Sequence, residues 1–196
     1  MTDGAPERIS DPKKLRALAH PLRWRLIELL GVADQATATY CASELGESVA
    51  SCSYHLNQLG KYGFVEVVES EGREKPWRLT NYDQSWSAEG LDLEGQLAAE
   101  AVSEAFLEHT FDQFRRLQVQ RSQQPKEWRE AAGMSAGTTF LTAEELAEVK
   151  GQLRAVIDRY FDRLADPGSR PAGARPVHLF VSALGAWAPE PDEARE

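Results

Sequence analysis

Apolar side chains recur every three or four positions through most of this chain, and the breaks fall at proline, glycine or short hydroxyl side chains. Such spacing predicts helices with one buried face. Asp11 can cap a first helix that carries Pro12 at its opening position, and KKLRALAH follows. Pro21 restricts His20 and separates this helix from the next. Leu22, Leu26, Leu29 and Leu30 share one face of that second helix, which Gly31 is expected to close. VADQATA reads as a connector, and Thr39 as the cap of a short helix, YCASELG. Gly46 marks a tight turn. Ser48 then caps a helix on which Val49, Cys52, Leu56 and Leu59 form the inner face and which ends near Gly63.

The period changes at residue 64. FVEVVE is β-branched and partly alternating, which predicts a strand. SEGREK turns around Gly72, and PWRLT returns, with Pro76 suggesting a sheet edge. Four helices followed by a hairpin is the order of a winged helix, with Arg73 and Lys75 at or near the wing tip. Residues 84–91 read as a linker. A long helix is expected from about Leu93 to Arg121, apolar over more than one side, which asks for burial on several sides. KEWREAA makes a short helix. Thr142 and Glu145 form a capping-box pattern ahead of a stripe of Leu146, Val149, Leu153, Val156, Ile157, Tyr160 and Leu164. VHLFVSAL (177–184) is strand-like and is expected to pair with another strand, either the wing hairpin or one on a dimer mate. The fold class is therefore mostly α with a small β-wing. A flexible tail (1–10) precedes a winged helix-turn-helix domain (11–83). A helical dimerisation region with a terminal strand (84–186) and an acidic tail (187–196) follow.

Charge refines this picture. The net charge of −9 argues at first against nucleic acid. However, residues 1–83 hold 10 basic and 12 acidic side chains, against 12 and 19 in residues 84–196. Residues 12–27 contain Lys13, Lys14, Arg16, Arg23 and Arg25 with no acid, and 48–63 contain Lys61 with no acid. The outer face of the 48–63 helix carries Ala50, Ser51, Ser53, Tyr54, Asn57 and Gln58. Gln pairs with adenine and Ser with either donor or acceptor edges, so this carboxylate-free face can read bases in a major groove. The DNA-binding candidates are Ser48, Ala50, Ser51, Ser53, Tyr54, His55, Gln58 and Lys61, with Arg73 and Lys75 from the wing. Lys14, Arg16, Arg23 and Thr39 are candidate phosphate contacts. Two alternatives stay open: His55 either touches phosphate or holds its helix to the scaffold, and Arg23 either meets phosphate or makes a structural ion pair.

The chain has no apolar run long enough to span a bilayer and no signal-like N-terminal core, which points to the cytoplasm. Cys41 and Cys52 read as two small buried residues. There is no Gly-rich phosphate loop and no Ser/His/Asp grouping of recognisable spacing. No enzymatic activity and no cofactor are therefore expected.

The segments LRALAHPLRWRLIELL (15–30) and SVASCSYHLNQLGKYGFVEVV (48–68) resemble the ArsR-type winged helix-turn-helix repressors of bacteria and archaea. In the second, Ser53, Tyr54, His55, Leu56, Leu59 and Gly63 fit the family's S-x-HL-x-x-L-x-x-x-G pattern. The rest of the chain looks like longer actinobacterial members. The resemblance implies a homodimer built from the first helix and the helix after the wing, here through Leu15, Leu18, Leu97, Ala101, Val102, Ala105 and Phe106. It does not bring metal sensing with it: Cys41 has no partner at Cys-x-Cys spacing, and residues 93–121 offer only His109 near Glu108 and Asp112. Double-stranded DNA is the expected partner. Phe106, Phe111, Phe114, Trp128 and Phe140 are either core or the lining of a pocket for an unknown small-molecule effector. A winged helix that binds protein instead of DNA is the remaining alternative.

Overall fold

The local signals that start helices are satisfied by side chains at the expected places. In the computed structural model, which describes residues 8–72 and 74–185, Asp11 accepts from the Lys13 amide at 2.9 Å and opens α1 (Pro12–Leu18). His20 caps α2 (Pro21–Ala33), its Nδ1 accepting from the Leu22 amide at 3.1 Å. Gly31 does not end this helix. It lies buried inside it, close to the Leu79 side chain, and the positive φ falls at Asp34 instead. Thr37, not Thr39, caps α3 (Ala38–Leu45) by accepting from the Tyr40 amide. Ser48 caps α4 (Val49–Lys61) by accepting from Ser51.

Three short antiparallel strands form the sheet, in the order β1 (Gln35–Ala36), β3 (Trp77–Leu79), β2 (Val65–Val67). The β2–β3 register pairs Val65 with Leu79 and Val67 with Trp77. β1 comes from the expected connector, where Ala36 pairs with Trp77. β3 is therefore central. Pro76 escapes the usual penalty because it sits just outside the strand and only its carbonyl is used, by the Val68 amide at 2.8 Å.

The core gathers Leu15, Leu18, Leu26, Leu30, Leu56, Leu59 and Val65, all almost fully buried, with Cys41 and Cys52 among them. It continues past residue 84. Ile9 bridges to Trp86, its amide donating to the Ser85 carbonyl at 2.8 Å. The Trp86 indole donates to Ser103 at 2.9 Å and packs against Trp24 and Phe106. The segment expected as a linker is thus half-buried, and residues 8–10 of the expected tail are held in place.

α5 (Leu93–Gln120) is capped by Asp92 and packs its first half on α1 and α2 through Ala98, Ala99, Val102 and Ala105. Beyond Thr110 it has no buried residue. α6 (Lys126–Ala131), α7 (Ala143–Asp158) and α8 (Asp162–Ala165) contribute none either. Thr142 and Glu145 form the expected capping box, but the stripe breaks between α7 and α8. The tether of α7 is Arg154, which pairs with Asp83 and, at 2.6 Å, with Asp158.

Residues 177–185 form no strand. Side chains anchor this stretch instead: Phe180 lies among Phe106, Phe111 and Phe114. His178 Nε2 sits 3.1 Å from Glu28, which also faces His109 at 3.0 Å and accepts from Gln113. Burial alone would push the Glu28 carboxyl up, but the hydrogen bonds from His109 and Gln113 outweigh it and hold it below its ordinary value.

Candidate nucleic-acid interface

α3 and α4 meet at a turn whose geometry its residues dictate. Gly46 takes φ +66°, ψ 33°, a left-handed conformation that costs glycine little. The Gly46 amide and the Glu47 amide both donate to the Ala42 carbonyl, which closes α3. The chain then re-enters a helix two residues later at the Ser48 cap. The turn is braced from outside by Arg25 of α2, which donates to the Leu45 carbonyl and, at 2.7 Å, to Glu47. Arg25 stood in the sequence as one of several basic residues; nothing in its spacing shows that it clamps the turn.

α4 divides as its period requires. Cys52, His55, Leu56 and Leu59 face inward. Ser48, Ala50, Tyr54, Asn57 and Lys61 are exposed, and Ser51, Ser53 and Gln58 are half-exposed. Tyr54 is the most prominent apolar body on this face, at 57% exposure. The outward face carries no carboxylate. Asn57 spends its amide on the Ser53 carbonyl at 2.7 Å.

His55 is turned inward, at 8% exposure. Its ring packs on His20 with centroids 4.3 Å apart, and its Nδ1 accepts from Arg23 Nε at 3.3 Å. Arg23 completes a clasp by donating to the Ala17 carbonyl at 2.7 Å and the Arg16 carbonyl at 3.2 Å, at the C-terminal end of α1. Of the alternatives left open by sequence, this geometry fits His55 holding its helix to the scaffold, and in the free chain Arg23 donates to carbonyls. Desolvation, then the neighbouring charges of His20 and Arg23, lowers the pKa of His55. Desolvation and Arg23 lower that of His20. Both shifts favour the neutral ring.

Arg16 pairs with Glu94 on α5, which opposes its use on phosphate. Lys14 remains exposed on α1. Thr39 donates to Glu74 at 3.0 Å and so links α3 to the wing. Lys75 is exposed, but the wing also holds Glu69, Glu71 and Glu74, and Glu66 is paired with Arg78 at 2.7 Å. Arg73 lies outside the described residues. The wing is therefore a weaker anion surface than its basic residues alone suggest.

The expected dimer residues divide in two. Leu15, Leu18, Val102 and Ala105 are buried within the single chain, because α1 and α5 pack on each other. Phe106 belongs to the aromatic cluster with Trp24 and Trp86. Leu97, at 58% exposure, and Ala101 are left on the outer face of α5. Of the remaining aromatics, Trp128 lies under Arg175 and Phe140 is fully exposed. Burial pushes the Cys41 thiol up to about 11, with Cys52 adding to the shift, so it stays protonated at neutral pH.

The family model for a helix-turn-helix domain matches residues 18–68, from the end of α1 through β2. The chain carries a helix-turn-helix domain. The match covers α3, the Gly46 turn and α4. α4 is the second of the two helices joined by the Gly46 turn, the position that helix-turn-helix proteins place in the major groove. A DNA-binding regulator is the functional class this supports. No curated protein matches the chain. Among the described residues, no helix is long and apolar enough to cross a membrane.

Proposed function

We propose that this protein is a cytoplasmic, sequence-specific transcriptional repressor of the ArsR type that binds a pseudo-palindromic operator as a homodimer. The carrying observation is the outward face of α4, polar and free of carboxylates, on the second helix of the motif. Ser51, Ser53, Tyr54 and Gln58 read base edges. Ser48, Ala50 and Lys61 lie against the adjoining backbone, with Lys14, Lys75 and Arg73 on flanking phosphates. The exposed part of α5, around Leu97 and Ala101, forms the dimer contact, since the inner face of that helix is already filled by its own chain.

Gel shift against the protein's own upstream DNA and against a pool of random duplexes tests this reading. A shifted band at low salt that fades as salt rises is expected. Substituting Ser51, Tyr54 and Gln58 by Ala should abolish it. Absence of any shift at low salt would falsify the proposal. The net charge of −9 favours a second reading, a winged helix that docks on a basic protein. Under that reading the triple variant leaves partner binding intact.

A further inference from the structure

The end of α2, the α7–α8 corner and residues 170–179 enclose an open cavity of about 510 Å³. That volume lies in the range of small-molecule sites. Val32, Ile157, Leu164 and Val177 give it apolar walls. Arg163, Arg170 and Arg175 also line it, and among the described residues no carboxylate does.

Among the described residues the three arginines are oriented but not neutralised. Arg163 lies over the Tyr160 ring at 4.9 Å. Arg170 donates to the Arg163 carbonyl at 2.6 Å and to the Leu164 carbonyl at 3.3 Å. Arg175 lies over Trp128 at 5.0 Å and reaches Gln124 at 3.4 Å. Among the described residues none of the three forms an ion pair, although the chain holds 31 acids against 22 bases. Each guanidinium has five N–H donors in a planar fork suited to a carboxylate, so donors remain at all three. A phosphodiester would meet the charge but leave the apolar walls wet. A ligand with an anionic head and a hydrocarbon body meets both.

We propose that this cavity binds an aliphatic carboxylate, a fatty acid of medium chain length, with its head on the arginines and its tail against Val32 and Ile157. The proposal stands apart from the DNA reading, because its test contains no DNA. Decanoate, kept below its micellar concentration, is titrated into the full-length protein by calorimetry, with decanol as the uncharged match. Expected are saturable binding at one site per chain and affinity for decanol at least about tenfold weaker. The double variant Arg163→Gln/Arg175→Gln, checked by circular dichroism, should lose at least about tenfold for decanoate and little for decanol. Equal affinity for the two ligands, multi-site uptake or no saturable binding overturns the proposal, as does an unchanged decanoate affinity in a folded double variant. If that variant fails to fold, the decanoate–decanol comparison on the natural chain decides alone.

Discussion

Three side chains carry most of the local logic of α4, and two of them point the opposite way from what their type suggests. Arg23 and His55 look like DNA contacts in a list of basic residues. Together with His20 they instead form a clasp that fixes α1, α2 and α4. The clasp needs a neutral His55, because its Nδ1 accepts from Arg23. Both histidines are harder to protonate folded than unfolded, so the unfolded chain binds more protons as pH falls below about 6.5. Stability is full above that pH and declines toward the depressed folded values. The urea midpoint should drop between about pH 7.5 and pH 5, and His55→Gln should flatten the decline. A midpoint that does not move over that range would contradict the clasp. Glu28 enters only lower, below its ordinary carboxylate range. On the outer face, replacing Gln58 or Tyr54 singly by Ala should weaken operator binding by about 1–3 kcal/mol while leaving random DNA little affected. Competition gel shifts measure both quantities.

At the scale of elements, legibility followed the range of the signal. Asp11, Ser48 and Thr142 cap helices using only neighbours two or three residues away, so their sequence reading needs no partner from elsewhere in the fold. Thr37 and Thr39 offer the same hydroxyl two residues apart, and their own spacing does not say which one caps the helix and which reaches Glu74. β1 has two residues and owes its existence to Arg78 and Trp77, some forty positions on. The apolar run 177–184 has strand composition, but its anchors are Phe180 and His178, and a side-chain anchor leaves no period-2 mark. The site itself was half legible. The outward polar face of α4 follows from its period, whereas the inward turn of Arg23, Arg25 and His55 requires the packed helices. Gly60 illustrates the same dependence. A Cβ there would stand 2.8 Å from the Trp77 ring, where α4 meets the wing. Alanine gains up to about 1 kcal/mol of helix propensity at such a site but must displace a packed indole, a cost of about 1–3 kcal/mol. Gly60→Ala should therefore lower the thermal midpoint despite being helix-favouring. Ser48→Ala should also lower it, by the equivalent of about 1 kcal/mol.

For the whole molecule, the distribution of charge matters more than its sum. The acid-free stretch over α4 sits in a chain of net −9, so attraction to phosphate must come from a few lysines close to the contact. On the DNA reading the salt dependence should be strong, with a slope of about −0.9 in log K per log salt for each phosphate engaged. Filter binding across a salt series measures that slope. The proposed dimer draws on a different surface. Leu97→Glu should convert a dimer to a monomer in sedimentation without moving the thermal midpoint much, because the residue is exposed in the single chain. A variant that sediments like the natural chain would overturn this dimer contact.

The small strand between α2 and α3 has a kinetic consequence. Because β1 pairs with β3, the wing is hydrogen-bonded to the end of α2 as well as to its own hairpin partner. α2 in turn grips the turn before α4 through Arg25. The base of the wing and α4 are therefore tied to the same elements, and on the DNA reading a duplex that arrives meets them already joined. On that reading little ordering entropy should be lost at contact, and the association rate should follow diffusion and charge instead of a folding step.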